Sequence, residues 1–327
     1  KTNILPNADA LFLTAIDPYG HELWRWTFPV NQLNQQTEQL SPLSSRPTYT
    51  ETENDLTVKA NKRTFIFSKK DGQLKGVSVD NRKISFANGP RFIGARRADR
   101  SLDQFYNHDD EKAKEKDRTY SEFPDAAVFT KLDVKEDGGN LVVTANYKLG
   151  NLDKAQWTIN PSGDLALDYT YNFSGVVDLM GIRFDYPEDQ VISKRWLGAG
   201  PYRVWQNRIH GTQYDVWEND YNDPIPGETF TYPEFKGYFG DVSWMNIQTK
   251  EGTISLTNET PDAYIGVYQP RDGRDRLLYT LPESGISVLN VIPPVRNKVN
   301  STDLCGPSSQ PKWVNGPQTG RVIFRFM

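Results

Sequence analysis

The stretch from Trp196 to Trp244 has the composition of a sugar-binding cleft, because it mixes aromatic rings with carboxylates. Rings stack on pyranose faces, carboxylates bond sugar hydroxyls, and glycoside hydrolysis uses two carboxylates that flank the scissile bond. Trp217 is the candidate ring, and Glu218 and Glu234 are the candidate carboxylates. The alternative is a long surface loop in which the acids are solvated, as most acidic side chains are.

His210 is the candidate proton carrier of this stretch, because histidine titrates near neutral pH. A loop histidine that bonds a backbone carbonyl is the alternative. The chain has three His and one Cys, so no intrachain disulfide can form, and no Cys/His set has zinc spacing. Cys305, beside Leu304 and Gly306, lacks the electropositive neighbours that activate a thiol. We therefore expect neither a metal nor another cofactor.

Charge and hydropathy argue against two classes of partner. The formal net charge is −4, and the short basic runs at 96–97 and 112–116 are flanked by acids, whereas nucleic-acid-binding surfaces carry a basic stripe. No run of 18 apolar residues occurs, so we expect no membrane-spanning helix. The first residues show no signal peptide, and the compartment stays open, with the periplasm or secretion favoured over the cytoplasm.

The elements that position these side chains read as β-strands. Short runs of alternating polar and apolar residues are separated by turn residues, as in Arg63–Ser68, the turn Lys70-Asp-Gly, and Leu74–Val79. Similar runs begin at Asn140, Ala155, Leu165, Gly252, Tyr264 and Arg321. One charged stretch at 99–119 is the only candidate for a short helix. The pattern predicts an all-β, antiparallel fold.

The first 30 residues form a hairpin pattern that has no partner strands before it. Two strands alone are marginally stable in water, so we expect residues 1–30 to be the last strands of a preceding domain. Residues 31–55 are rich in Gln, Ser, Thr and Pro and predict a linker. The main domain is then expected at 56–327.

Two motifs carry a resemblance to a known family. The run Arg195-Trp-Leu-Gly-Ala-Gly-Pro-Tyr202 and the run Tyr232-Pro-Glu-Phe-Lys-Gly-Tyr-Phe-Gly-Asp-Val-Ser-Trp244 resemble segments of the last domain of bacterial β-galactosidases of glycoside hydrolase family two. The strand–turn–strand that begins at Phe65 is similar too, whereas 96–100 lacks the proline and the full acidic triplet of the family pattern. The resemblance covers 56–327.

The resemblance implies a fold and a role. The last domain of that family is a β-supersandwich related to galactose mutarotases, and an Ig-like domain precedes it, which would account for the unpartnered hairpin. The catalytic glutamates of the family lie in a (β/α)₈ barrel, for which this chain has no room. We therefore expect a non-catalytic C-terminal piece whose partners are the rest of the hydrolase and a β-galactoside or related glycan, in a parent that can be homo-oligomeric.

One aromatic side chain of the last domain stacks on the substrate in some members of the family. Trp313 is the nearest candidate for that role here, with a packing role as the alternative. Two other functions stay open. The chain can be a free-standing carbohydrate-binding module, or an aldose 1-epimerase-like enzyme that uses His210 with Glu218 or Glu234.

Overall fold

The computed structural model describes residues 8, 10–29, 45–97, 120–220, 237–267, 282, 284–294, 308 and 310–327. These residues form strands, turns and one single-turn 3-10 helix at Glu188–Gln190. Every ladder between their strands is antiparallel. The all-β expectation is therefore confirmed, while the short helix expected at 99–119 lies outside the described residues.

Twenty-one strands are described, and their bounds follow in chain order. They are β1 (Ala10–Ile16), β2 (Glu22–Pro29), β3 (Thr48–Glu51), β4 (Asp55–Ala60), β5 (Arg63–Ser68), β6 (Leu74–Val79), β7 (Arg82–Ile84), β8 (Ala87–Arg97), β9 (Tyr120–Glu122), β10 (Val128–Asp137), β11 (Asn140–Lys148), β12 (Leu152–Ile159), β13 (Leu165–Val177), β14 (Leu179–Asp185), β15 (Val191–Gly200), β16 (Gln213–Asp220), β17 (Trp244–Thr249), β18 (Gly252–Asn258), β19 (Tyr264–Gly266), β20 (Ile286–Val291) and β21 (Lys312–Phe326).

Two large sheets and one small sheet contain these strands. The nine-stranded sheet has the order β10-β11-β12-β13-β21-β18-β17-β15-β16. The ten-stranded sheet has the order β19-β20-β14-β8-β6-β5-β4-β3, with β7 on β6 and β9 on β8. The pair β1-β2 is a sheet of its own. The strands that meet in the large sheets are often far apart in the sequence, as β13 and β21 are.

The core lies between the two large sheets and is dominated by aromatic rings. Successive side chains of a strand point to opposite faces, so Leu56 and Val58 of β4 turn the same face inward and are buried. Phe86 and Phe184 stack at 4.7 Å between ring centroids, and Phe324 meets Phe86 at 5.0 Å. Large rings bury much area each, which compensates for an apolar content of only 37%.

The hairpin turn expected at Lys70-Asp-Gly joins β5 to β6 as the pattern predicts. Gly72 there has φ +74°, and a Cβ on it would lie 2.6 Å from Cδ2 of Phe129. Both the left-handed backbone and the close ring therefore require glycine at this position. The turn fixes the register in which Phe67 pairs with Leu74.

The division into linker and main domain needs one adjustment at its boundary. Residues 31–55 were expected as linker, but Thr48–Glu51 is a strand that pairs with Leu56–Lys59 of β4. Alternating Thr side chains in this segment suit an exposed edge strand. The strand was not predicted, because turn-forming polar residues flank it on both sides. Residues 31–44 lie outside the described residues.

Candidate functional site

The first sequence motif begins in β15 and ends two residues after it, and its tryptophan and glycines serve packing. Trp196 is fully buried, and its Nε1 donates to the carbonyl oxygen of Ala199 at 3.0 Å. A Cβ on Gly198 would lie 3.0 Å from the carbonyl oxygen of Gly240, and one on Gly200 would collide with the ring of Trp217. Glycine is needed at both positions because backbone and ring approach so closely.

The second motif packs directly on the first. The amide of Val204 donates to the carbonyl of Tyr238 at 2.7 Å, and the reverse bond is 2.9 Å. Nearer the strand, the amide of Ala199 donates to the carbonyl of Gly240 at 2.9 Å. The segments 196–204 and 237–244 thus form one unit, which we call the motif junction. The hydrogen bonds show why two motifs about 40 residues apart belong together.

Sequence reasoning missed two buried cations, one just before this junction and one within it. Lys194 is fully buried and Arg203 is 3% exposed. Both lie near the ring of Phe239, at 5.9 Å for Lys194 Nζ and 5.8 Å for Arg203 Cζ, which is the geometry of cation–π contacts. The signal that could have found Lys194 is its position two residues before Trp196, which places both on the inward face of β15.

Two tyrosines, Tyr214 and Tyr264, lie beside the motif junction. The hydroxyl of Tyr214 and Oγ of Ser243 share a hydrogen bond of 2.6 Å. Burial raises the pKa of Tyr214 above its ordinary value, although the bond to Ser243 lowers it in part. Burial also raises the pKa of Tyr264, with Asp241 adding to the effect. Both phenols therefore stay protonated at neutral pH and can only exchange hydrogen bonds there.

The structure places Trp217 and Glu218 on opposite faces of β16. Trp217 is half-buried against the core, and its Nε1 donates to the carbonyl oxygen of Gln213 at 3.1 Å. Glu218 is exposed and stands across the ladder from Arg195. Adjacent residues of a strand point to opposite faces, so these two side chains do not face one ligand together.

The other sequence-predicted residues lie apart from this pair. His210 is exposed in the turn before β16, and Glu218 is five residues along that strand, about 17 Å from its start. Trp313 is 72% exposed on β21 and pairs with Val176. Four strand spacings, about 19 Å, separate β21 from β16. Glu234 lies outside the described residues.

Metal-binding clusters and membrane-spanning helices are both absent from the residues that the structure describes. Across the ranges that the structure describes, no group of three or more His, Cys, Asp or Glu side chains could hold a metal ion. Within the same ranges, no helix has the length and hydropathy that a membrane span requires.

Comparisons with known proteins identify one family and several solved structures that are similar to this chain. A family model described as beta galactosidase small chain matches residues 59–293. Similar solved structures include a galactose 1-epimerase from Lactobacillus acidophilus NCFM, with 10% identity and a TM-score of 0.47 over 86% of this chain and 99% of that chain. A galactose mutarotase-like protein from Clostridium acetobutylicum has 8% identity and a TM-score of 0.40 over 86% and 98%. No curated protein matches the chain.

Proposed function

This chain belongs to the beta galactosidase small chain family, and from that premise we propose that it is a non-catalytic, C-terminal part of a β-galactosidase-type hydrolase of glycoside hydrolase family two. Its role is to pack against the catalytic part of that hydrolase and to form one wall of the sugar cleft. The parent reaction is retaining hydrolysis of a terminal β-galactoside or a related sugar. The catalytic carboxylates lie on the rest of the enzyme, as the sequence resemblance implies.

The exposed apolar face of the β1-β2 hairpin carries this proposal. Leu13 pairs with Trp26 and Leu11 pairs with Phe28, so these four side chains share one face. Leu13 is 58% exposed and Trp26 is 45% exposed. A two-stranded sheet with an open apolar face is marginal by itself, and large exposed apolar patches usually mark interaction surfaces. We assign this face to the strands of a preceding Ig-like domain.

Trp313 is the side chain we assign to the sugar. Its ring is 72% exposed near the first residue of β21, on a ribbon that β21 forms with β13. Next to it, Oγ of Ser174 donates to Oδ1 of Asn315 at 2.8 Å and ties the two strands of the ribbon together. An exposed ring on a rigid ribbon can stack on a pyranose face, whereas a ring used for packing would be covered.

Reconstitution with the catalytic part of a β-galactosidase from the same source tests the proposal. We expect the purified chain alone to leave an aryl β-galactoside intact, and the mixture to hydrolyse it. Trp313→Ala should then raise KM about fivefold, equivalent to roughly 1 kcal/mol of lost stacking, with Trp313→Phe restoring most of it. Hydrolysis by the chain alone that follows the protein through successive purification steps would refute a non-catalytic role.

The apolar face of the hairpin has its own arm of that experiment. Here the added part of the hydrolase carries both the catalytic barrel and the preceding Ig-like domain. Leu13→Ser with Trp26→Ser should prevent assembly with it, because the face that joins the Ig-like domain becomes polar. The matched control is Thr14→Ser with Thr27→Ser on the opposite face, which should assemble normally. If both double variants assemble equally well, the apolar face is not the docking surface.

A further inference from the structure

An open cavity of 410 Å³, lined by residues of polar type, lies beside the turn between β5 and β6, on the ten-stranded sheet. Asp55 of β4, Ser68 of β5 and Lys75 of β6 contribute to its lining, and Asn88 of β8 closes one side. Core side chains such as Leu56 and Leu74 point the other way from these strands, so the cavity is on the face opposite the main core. Its volume falls within the range of small-molecule sites, about 300–1,000 Å³.

The charges that line this cavity cancel. Asp55 and Asp71 supply two carboxylates, and Lys70 and Lys75 supply two ammonium groups. Nζ of Lys75 is already paired with Oδ1 of Asp55 at 2.9 Å. A phosphate or a carboxylate would be repelled by the two acids, and a metal ion would be repelled by the two ammonium groups. Neither class of charged ligand therefore gains net electrostatic attraction. A neutral ligand with many hydroxyls can bond both kinds of group.

Unused hydrogen-bonding capacity is also present in the lining. Among the residues that the structure describes, the side-chain amides of Asn54 and Gln73 and the ammonium of Lys70 make no hydrogen bond or ion pair with another protein group. Asn88 donates from Nδ2 to Oδ2 of Asp185 at 2.8 Å, which orients the amide and leaves its Oδ1 as an acceptor. Amides that both donate and accept match vicinal sugar hydroxyls.

We propose that this cavity binds a neutral mono- or disaccharide as an accessory site. All eight lining side chains are polar and no aromatic ring is among them, so binding depends on hydrogen bonds and is weak, with a Kd of about 1–10 mM. The site is separate from Trp313, which is on the nine-stranded sheet. It goes beyond the proposed function, because it needs neither the catalytic part nor the preceding domain.

A titration of the whole 15N-labelled chain with galactose and lactose tests the site through the side-chain amide signals. We expect the signals of Asn54, Gln73 and Asn88 to shift. The double variant Gln73→Ala with Asn88→Gly should raise Kd about fivefold or more. Glycine is chosen at 88 because Asn88 has φ +52°. Gln190→Ala removes an amide outside the cavity and should bind as the unmodified chain does.

Trp313→Ala separates this site from the proposed stacking platform and should leave the amide shifts unchanged. The proposal is overturned if neither sugar shifts the three amides, or if the double variant binds as well as the Gln190 control. Preferential binding of galacturonate or inorganic phosphate would overturn the assignment to neutral sugars. Activity with the catalytic part is measured separately, so failure of one proposal does not decide the other.

Discussion

The β1-β2 hairpin and the sandwich formed by the two large sheets both carry aromatic residues at every second position of a strand, but only the sandwich buries them. Trp24 and Trp26 alternate with polar residues in β2, yet they are 52% and 45% exposed. Phe65 and Phe67 also occupy every second position in β5, on either side of the apolar Ile66, and both are fully buried. The difference is the second sheet that covers β5. Alternation therefore predicts a strand and an apolar face, but only the covering layer decides whether that face contributes to stability.

The largest difference between the two regions should appear when one tryptophan is truncated in each. Trp196→Ala removes a fully buried ring and its bond to Ala199, and should lower the free energy of unfolding by about 3–5 kcal/mol. Trp24→Ala removes an exposed ring and should change it by less than about 0.5 kcal/mol. Urea unfolding followed by circular dichroism measures both values.

Trp196→Phe controls for the hydrogen bond within that comparison. It keeps an aromatic ring beside Phe239, whose centroid lies 4.9 Å from that of Trp196, and loses only the Nε1 donor and some volume. We expect a smaller loss than for alanine, about 1–2 kcal/mol. Equal losses for Trp196→Ala and Trp24→Ala would mean that the hairpin face is covered within this chain.

A buried ion pair gives the next largest effect in the sandwich. Arg325 of β21 donates from Nε and Nη2 to Asp164 at 2.6 and 2.8 Å, with both side chains mostly buried. Asp164→Ala removes the carboxylate that accepts both of these bonds from a mostly buried guanidinium, and should cost about 3 kcal/mol. Removing both charges with Asp164→Ala and Arg325→Met should cost less than the single change. Equal unfolding free energies for the single variant and the unmodified chain would show that water solvates the pair.

Alkaline pH should weaken the sandwich through a buried phenol. Burial raises the pKa of Tyr169 from 10.0 to about 12. Below pH 10 the hydroxyl is protonated in both states and stability is unaffected. Between pH 10 and 12 only the unfolded state ionises, so stability falls by up to about 1.4 kcal/mol per pH unit. Tyr169→Phe should make this decline shallower in urea titrations, and an identical slope would exclude the phenol as its cause.

Local order was predictable from the sequence because it depends on neighbouring residues. The alternating runs Arg63–Ser68 and Leu74–Val79 are β5 and β6 as predicted. The last strand was underestimated, since Arg321 was expected to begin it and Lys312 does. Gly316 and Pro317 are residues that usually favour turns. Here β21 continues through them, because β13 pairs with β21 along its whole length.

The candidate site was less predictable because it depends on contacts between distant segments. The sequence identified both motifs, and the structure shows that they pack on each other. It did not indicate that Trp217 would turn toward the core while Glu218 turned away, because strand register decides the face. Lys194 was missed for the same reason. Lysines are usually exposed, and only the strand register shows that this one is buried on the inner face of β15.

The smallest effect should come from the ion pair that links the two regions. Nη1 of Arg25 on β2 lies 3.8 Å from Oδ2 of Asp215 on β16, and Arg25 is 42% exposed. Arg25 also pairs with Glu22 at 2.9 Å, so it loses little when Asp215 is removed. A double-mutant cycle with Arg25→Ala and Asp215→Ala should give a coupling below about 0.5 kcal/mol that disappears in 1 M salt. A coupling above about 1.5 kcal/mol would mean that the face of the hairpin that carries Arg25 is fixed to the sandwich. The two regions would then differ in which face of the strand is covered, and not in whether one is covered at all.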